Sequence, residues 1–385
     1  MLNMFTGGAV SRMAIFSLGI MPYISASIII QLMTSMVPQL EALKKEGEQG
    51  RKKINQYTRY GTVFLAMFQS YALAAGLESQ GLASDPGLFF RATVMITLVG
   101  GTMFLMWLGE QITARGIGNG ISLIIFVGIV AELPAALAQF FASGRSGALS
   151  PAMIIGVMVM VVVVIAFVVF MERALRKIHI QYPKRQVGMK VYGGESSHLP
   201  VKLNPAGVIP AIFASSLLLM PTTLATFSGA DSTGIAATIA AYMGRGQPLY
   251  MLFYASMVVF FAYFYTANVA FKTDDVADNL KKQGGFVPGI RPGAKTALYL
   301  DYVMARLLVV GSAYLTAVVL LPEVLISKTA IPFYFGGTSL LIIVSVTMDT
   351  ITQVQSHMMA HQYESLIEKS KLRGKNKAKS RGHRK

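Results

Sequence analysis

The sequence contains no cysteine among its 385 residues, and only 14% of them are charged. The first absence excludes disulfides, thiolate metal sites and cysteine nucleophiles. So low a fraction of charged residues is unusual, because about a quarter of the residues in a soluble domain are charged. Since 54% of this chain is also hydrophobic, the composition predicts a membrane protein.

Charge is absent altogether from nine stretches of the chain. A helix that crosses a bilayer needs about 20 apolar residues, and these continuous runs lack the alternation of a transmembrane β-barrel. We therefore predict an all-α polytopic membrane protein with nine transmembrane helices. The nine stretches are 13–40, 60–77, 92–108, 116–131, 151–170, 203–230, 246–271, 307–321 and 329–348.

Lysine and arginine are distributed unevenly among the loops. The loops within 41–59, 172–204 and 272–296 and the tail 357–385 are strongly basic, whereas each intervening loop carries a single cation. The positive-inside rule places the basic loops and the C-terminus in the cytoplasm. Residue 1 then lies on the outer side.

Nine spans cannot form two equal halves, although an inverted-repeat membrane protein has an even number of spans. We therefore expect that one N-terminal helix is missing from this sequence. The predicted halves are residues 1–142 and 143–356, followed by the basic tail.

Ionisable residues are nearly absent from the middle of the predicted spans. Coupled transporters and intramembrane enzymes generally need them there, so we expect neither a coupled transporter nor an enzyme. His357 and His361 share a helix face, but no acidic residue completes a metal motif, so we expect no metal site. The polar groups inside the spans are uncharged, and each contributes about 0.6 kcal/mol to helix contacts. They include Ser25, Ser27, Gln31, Gln69, Ser215 and Ser216.

The loop 172–204 alternates polar and apolar residues on either side of Pro183-Lys184-Arg185. This pattern predicts a β-hairpin that projects into the cytoplasm and turns at that tripeptide. The loop 272–296 turns through a stretch rich in glycine and proline at 284–293, which is predicted to be a shaped, partly rigid loop. The basic residues of both loops fit an anionic partner, but they also fit a role in enforcing topology alone, and both interpretations stay open.

Two isoleucine pairs, Ile20 with Ile24 and Ile121 with Ile125, have the spacing of one helix face. The spacing alone favours ordinary packing or lipid contact.

Long sequence strings, in the same order along the chain, resemble the SecY/Sec61-alpha family of protein-conducting channels. They are NMFTGGAVSR at 3–12, LGIMPYISASI at 18–28, KKEGE at 44–48, QYTRYG at 56–61, WLGEQIT at 107–113, GIGNGIS at 116–122, AGVIPAIFA at 206–214, ADNLKK at 277–282, FVPGIRPG at 286–293 and YFGGTSLLI at 334–342.

The resemblance implies a ten-helix, inverted-repeat channel that passes unfolded secretory proteins and releases membrane helices sideways. It implies a hydrophobic pore ring of Ile20, Ile24, Ile121, Ile125, Ile212 and Ile342. It implies a plug that includes Asn3, Met4, Phe5, Gly7, Gly8, Ser11 and Arg12.

The same resemblance implies a lateral gate between helices 15–37 and 60–77 on one side and 206–227 and 248–271 on the other. The six uncharged polar residues named above would lie in this gate. It also implies a docking surface for the SecA motor and the ribosome. The docking residues are Arg173, Arg176, Lys177, Lys184, Arg185 and Arg291.

The implied partners are the SecE and SecG subunits, signal sequences, nascent polypeptides and membrane lipids, with SecDF and YidC as further candidates. The implied location is the bacterial inner membrane, and the resemblance implies no cofactor. Two other hypotheses compete with the channel: a solute transporter with inverted repeats, and a non-conducting structural subunit. Ionisable residues at mid-membrane would favour the transporter.

Overall fold

Helices dominate the computed structural model, which describes residues 14–79, 81, 85–147, 150–182, 185–187, 190–192, 196–227, 247–328 and 337–382. The helices are α1 (Met21–Met36), α2 (Pro38–Lys45), α3 (Glu48–Ser79), α4 (Leu88–Arg115), α5 (Gly120–Arg145), α6 (Pro151–Arg173), α7 (Ile209–Phe227), α8 (Pro248–Tyr265), α9 (Thr273–Lys282), α10 (Ala294–Lys328) and α11 (Gly337–Gly382).

Each of the nine predicted spans overlaps a helix in the described part of the chain. Among the described residues, seven helices are long and apolar enough to cross a membrane, or eight if α1 and α2 form one bent span. The all-α polytopic class is confirmed, and the chain is a multi-pass membrane protein.

The first span ends earlier than predicted. The prediction ran to residue 40, but α1 stops at Met36 and α2 leaves it at an angle of 98°. The cause is Pro38, because the residue before a proline is pushed into an extended conformation. Val37 accordingly has φ −102° and ψ 113°.

The turn between α4 and α5 depends on glycine. Gly118 has φ +91°, and the Asn119 side chain accepts hydrogen bonds from the first backbone N–H groups of α5. A Cβ on Gly120 would lie only 2.0 Å from the carbonyl oxygen of Gly109. Glycine therefore allows α4 and α5 to pack closely.

The predicted hairpin is present, but its turn was predicted in the wrong place. β1 (Leu175–Gln181) pairs antiparallel with β4 (Ser196–Lys202), and β2 (Arg185–Val187) pairs with β3 (Lys190–Tyr192) in the same continuing register. Arg185 therefore lies in a strand of the first arm and not in the turn, while Pro183 and Lys184 lie outside the described residues. Alternation marks strands well, but only the pairing register fixes where they turn.

Two hydrophobic clusters organise the fold. The larger one lies in the helix bundle and joins residues of α1, α5, α6, α7, α8, α10 and α11. The second lies beneath the hairpin and joins it to the loop after α9 and to the first turns of α10. The hairpin is thus anchored at one end of the bundle, called the hairpin end below.

Candidate channel and docking surface

The six isoleucines predicted for the pore ring converge in the larger cluster. They are contributed by four separate parts of the chain: Ile20 and Ile24 at α1, Ile121 and Ile125 in α5, Ile212 in α7, and Ile342 in α11. Ile342 is 0% exposed, Ile121 is half-buried, and the other four are buried. The cluster has many other members, so the burial alone does not distinguish the six.

Local structure fixes the direction of these side chains. The backbone N–H of Ile24 donates to the carbonyl oxygen of Ile20 at 3.1 Å, so both side chains lie on one face of α1. The cap at Asn119 similarly fixes the first turn of α5, which carries Ile121. Both isoleucine pairs therefore present a continuous branched apolar surface to the cluster.

The two predicted halves meet where α1 and α3 contact α7. We call this contact the seam. The polar contacts seen for its predicted gate residues lie within single helices: Gln31 donates to Ser27 at 3.2 Å, and Ser215 donates to the carbonyl oxygen of Ile212 at 2.9 Å. Gln31 Oε1 and the hydroxyl of Ser216 are buried and find no hydrogen-bond partner among the described residues.

The remaining two gate residues, Ser25 and Gln69, are half-buried on α1 and α3. A cleft of about 630 Å³ lies beside α1 and α3. Side chains of α1, α2 and α3 line one wall, and the π-helical turn Thr266–Ala270 and the start of α9 line the other. Two helices predicted for the gate, α1 and α3, are therefore separated there from the π-helical turn that follows α8.

The predicted docking cations lie at the hairpin end. Arg173, Arg176, Lys177 and Arg291 are all exposed. Lys184 and the side chain of Arg185 lie outside the described part of the structure.

Packing unites the two loops that carry these cations. Gln181 in β1 and Phe286 in the following loop exchange two backbone hydrogen bonds of 2.9 and 3.0 Å. The hydroxyl of Thr296 donates to the backbone carbonyl oxygen of Arg291 at 3.0 Å. Buried contacts among Ile178, Val287 and neighbouring apolar residues complete the unit. We call this unit the basic platform.

A polar crevice of about 320 Å³ opens near the base of the hairpin. Glu172 accepts hydrogen bonds there from Asn204 at 3.2 Å and from the Tyr314 hydroxyl at 3.5 Å. Lys202 forms an ion pair with Asp349 at 3.8 Å. Sequence reasoning missed this crevice, although carboxylates placed directly at span ends were a usable signal.

The same end carries a link between the two halves. The backbone N–H of Gly118, in the turn before α5, donates to the side-chain oxygen of Gln353 in α11 at 2.8 Å. Both residues line the polar crevice. The plug residues Asn3, Met4, Phe5, Gly7, Gly8, Ser11 and Arg12 lie outside the described residues.

Comparison with known proteins identifies the family. A family model described as SecY matches residues 14–351. The protein translocase subunit SecY of Escherichia coli is 57% identical over 379 residues, covering 97% of this chain and 85% of that protein. The chain belongs to the SecY family.

Solved structures agree on the fold. A protein-conducting channel superposes with a TM-score of 0.71 at 19% identity, covering 92% of this chain and 84% of that one. Sec61 in a canine ribosome–channel complex gives a TM-score of 0.66 at 19% identity, with the same coverage of each chain. At this level of identity, the likeness establishes the fold alone.

Proposed function

We propose that this chain is the central protein-conducting channel of a Sec translocase. It passes unfolded secretory proteins across the bacterial inner membrane and releases membrane helices laterally into the lipid. One observation carries the proposal: in a chain of the SecY family, six isoleucines from both predicted halves converge in one apolar cluster.

In the proposed mechanism the six isoleucines form the pore ring. Branched apolar side chains in a narrow ring exclude water and therefore block ions. The same side chains have no fixed polar contacts to break, so they yield to a passing polypeptide. Residues 3–12 would act as the plug that reseals the pore from outside.

The seam would be the lateral gate. The polar contacts seen for its residues lie within single helices, and even a hydrogen bond between membrane helices contributes only about 0.6 kcal/mol, so this contact separates at modest cost. The buried, unpaired groups of Gln31 and Ser216 support this role, because opening would let them find polar partners. A signal sequence or nascent membrane helix would leave through the seam according to its preference for lipid.

The basic platform would receive the SecA motor and the ribosome on the cytoplasmic side. Exposed cations on a packed unit fit the phosphate groups of RNA or an acidic protein face. The positive-inside rule gives the same orientation, with the C-terminus in the cytoplasm. SecE and SecG as small partner subunits, and SecDF and YidC as further partners, follow from the family resemblance alone.

The structure offers little support for the two competing hypotheses, a solute transporter and a non-conducting structural subunit. Glu323 is 1% exposed in α10, but it lies close to the end of that helix rather than at its middle. No other observation in the described residues favours a solute transporter or a structural subunit over a channel.

The proposal is tested by reconstituting the purified chain with its partner subunits in proteoliposomes. We expect a fluorescent secretory precursor to become protected from added protease only when the chain, the motor ATPase and ATP are all present. Vesicles that lack the chain are the control. Absence of protection with the complete set of components would contradict the channel function.

A further inference from the structure

Two histidines face each other across the middle of the hairpin. His179 in β1 is the register partner of His198 in β4. Their ring centroids are 5.1 Å apart, with the ring planes inclined at 58°.

The backbone explains why these rings lie so close. The N–H and C=O groups of Gln181 both bond to Phe286, so they point away from β4. Backbone N–H and C=O groups point the same way at every second residue of a strand. Those of His179, two residues before Gln181, therefore also point away from β4. His179 and His198 are therefore a non-hydrogen-bonded pair, the kind whose Cα atoms lie about 4.5 Å apart and whose side chains are closest.

The separation of the rings is that of two imidazoles bound to one metal ion. With a Zn–N bond of about 2.0 Å, a ring centroid lies about 3.2 Å from the metal, and two centroids at a tetrahedral angle lie about 5.2 Å apart. The observed 5.1 Å agrees with this value.

The pair is also open to solvent. His198 is exposed and His179 is half-buried. The next register pair on the same face of the hairpin is Lys177 with Pro200. Within the described part of the chain, no group of three or more His, Cys, Asp or Glu residues is placed to hold a metal. The pair therefore offers two ligands and leaves the other coordination positions to water or to a docked partner.

We propose that His179 and His198 together bind a divalent transition metal ion across the hairpin, with Zn²⁺ as the ion tested. Neutral imidazole suits zinc, copper and nickel. With two protein ligands and Lys177 exposed nearby, the site is weaker than a closed four-ligand zinc site. A bound ion joins β1 to β4 and so rigidifies the part of the hairpin that belongs to the basic platform.

Zinc titration of the full chain, purified with its partner subunits through a tag without histidine, tests this site. The chain has five histidines, and replacing His357, His361 and His383 by alanine leaves only the hairpin pair. We expect this background to bind one Zn²⁺ per chain by isothermal titration calorimetry. His179→Ala should weaken binding at least about tenfold, because even the loss of an outer-shell partner costs roughly that much.

A matched control keeps two histidines in the hairpin but places them on opposite faces. The double variant His198→Ala, Ser197→His does this, because Ser197 is exposed and pairs with Ile180 rather than His179. We expect it to bind zinc as weakly as His179→Ala does. As a second readout, Cu²⁺ bound to the background protein should show hyperfine coupling to two imidazole nitrogens, and the control should not.

Equal zinc affinity in the background and the control would overturn the proposal, and so would no zinc binding in the background. Unchanged circular dichroism in the variants shows that the fold is intact. None of these measurements involves translocation, so their outcome is independent of the channel function.

Discussion

Truncating one isoleucine of the proposed ring should open the channel without a substrate. Ile342 is 0% exposed, and Ile342→Ala removes three carbon atoms from the cluster. At about 0.8 kcal/mol for each buried carbon, the closed state loses up to about 2.4 kcal/mol of packing that the open, water-lined ring does not make. Since each 1.4 kcal/mol is tenfold, the ratio of open to closed channels should rise by up to roughly 50-fold.

Ile129→Ala is the matched control for this experiment. Ile129 is also 0% exposed in the same cluster, one helical turn beyond Ile125 in α5, but it is not in the proposed ring. Its truncation should weaken the closed and open states equally. It should therefore lower thermal stability without raising conductance.

Ion conductance of the purified protein in a planar bilayer, measured without any substrate, separates the two variants. We expect a large rise in open probability for Ile342→Ala and none for Ile129→Ala. An unchanged conductance in Ile342→Ala, or an equal rise in both, would refute the idea that ring packing holds the pore shut.

Two further predictions concern the platform and the bundle. Arg291→Glu should weaken motor docking by at least about 2 kcal/mol and block export of a precursor, while the chain itself still inserts normally. Lys295→Glu, at a neighbouring exposed cation, is the control. Unchanged secretion in Arg291→Glu, or an equal defect in Lys295→Glu, would refute this assignment. Gly120→Ala should destabilise the bundle by about 1–3 kcal/mol because its Cβ would overlap the Gly109 carbonyl oxygen. Gly156→Ala, with open space around it, should be neutral or slightly stabilising, and equal unfolding temperatures for the two variants would contradict the packing argument.

The sequence was informative wherever structure depends on neighbouring residues. Uncharged runs located the membrane helices, and alternation located the hairpin. The break at Pro38 was also readable, since proline restricts the residue before it. The prediction missed it because it followed hydrophobicity alone.

Local sequence patterns could not predict contacts between distant parts of the chain. Periodicity places Ile121 and Ile125 on one face, but it cannot bring them to Ile212 and Ile342, and the family resemblance supplied that set. The exchange of hydrogen bonds between Gln181 and Phe286 likewise had no local signal.

The wrong position predicted for the hairpin turn hid the pairing of His179 with His198. With a turn at residues 183–185, His179 would lie opposite a residue near 189, and His198 would have no partner in the first arm. Only the observed register brings the two imidazoles together.

The central claim is that a translocating polypeptide passes through the isoleucine ring, and disulfide crosslinking tests it most directly. The chain has no cysteine of its own, so Ile24→Cys, Ile125→Cys and Ile212→Cys can each be made singly, with Ile155→Cys as a control that is 65% exposed on the surface of α6. A precursor carrying one cysteine is arrested midway through translocation and oxidised. We expect crosslinks at the three ring positions and none at Ile155. Crosslinks at Ile155 alone, or equally at all four positions, would contradict it.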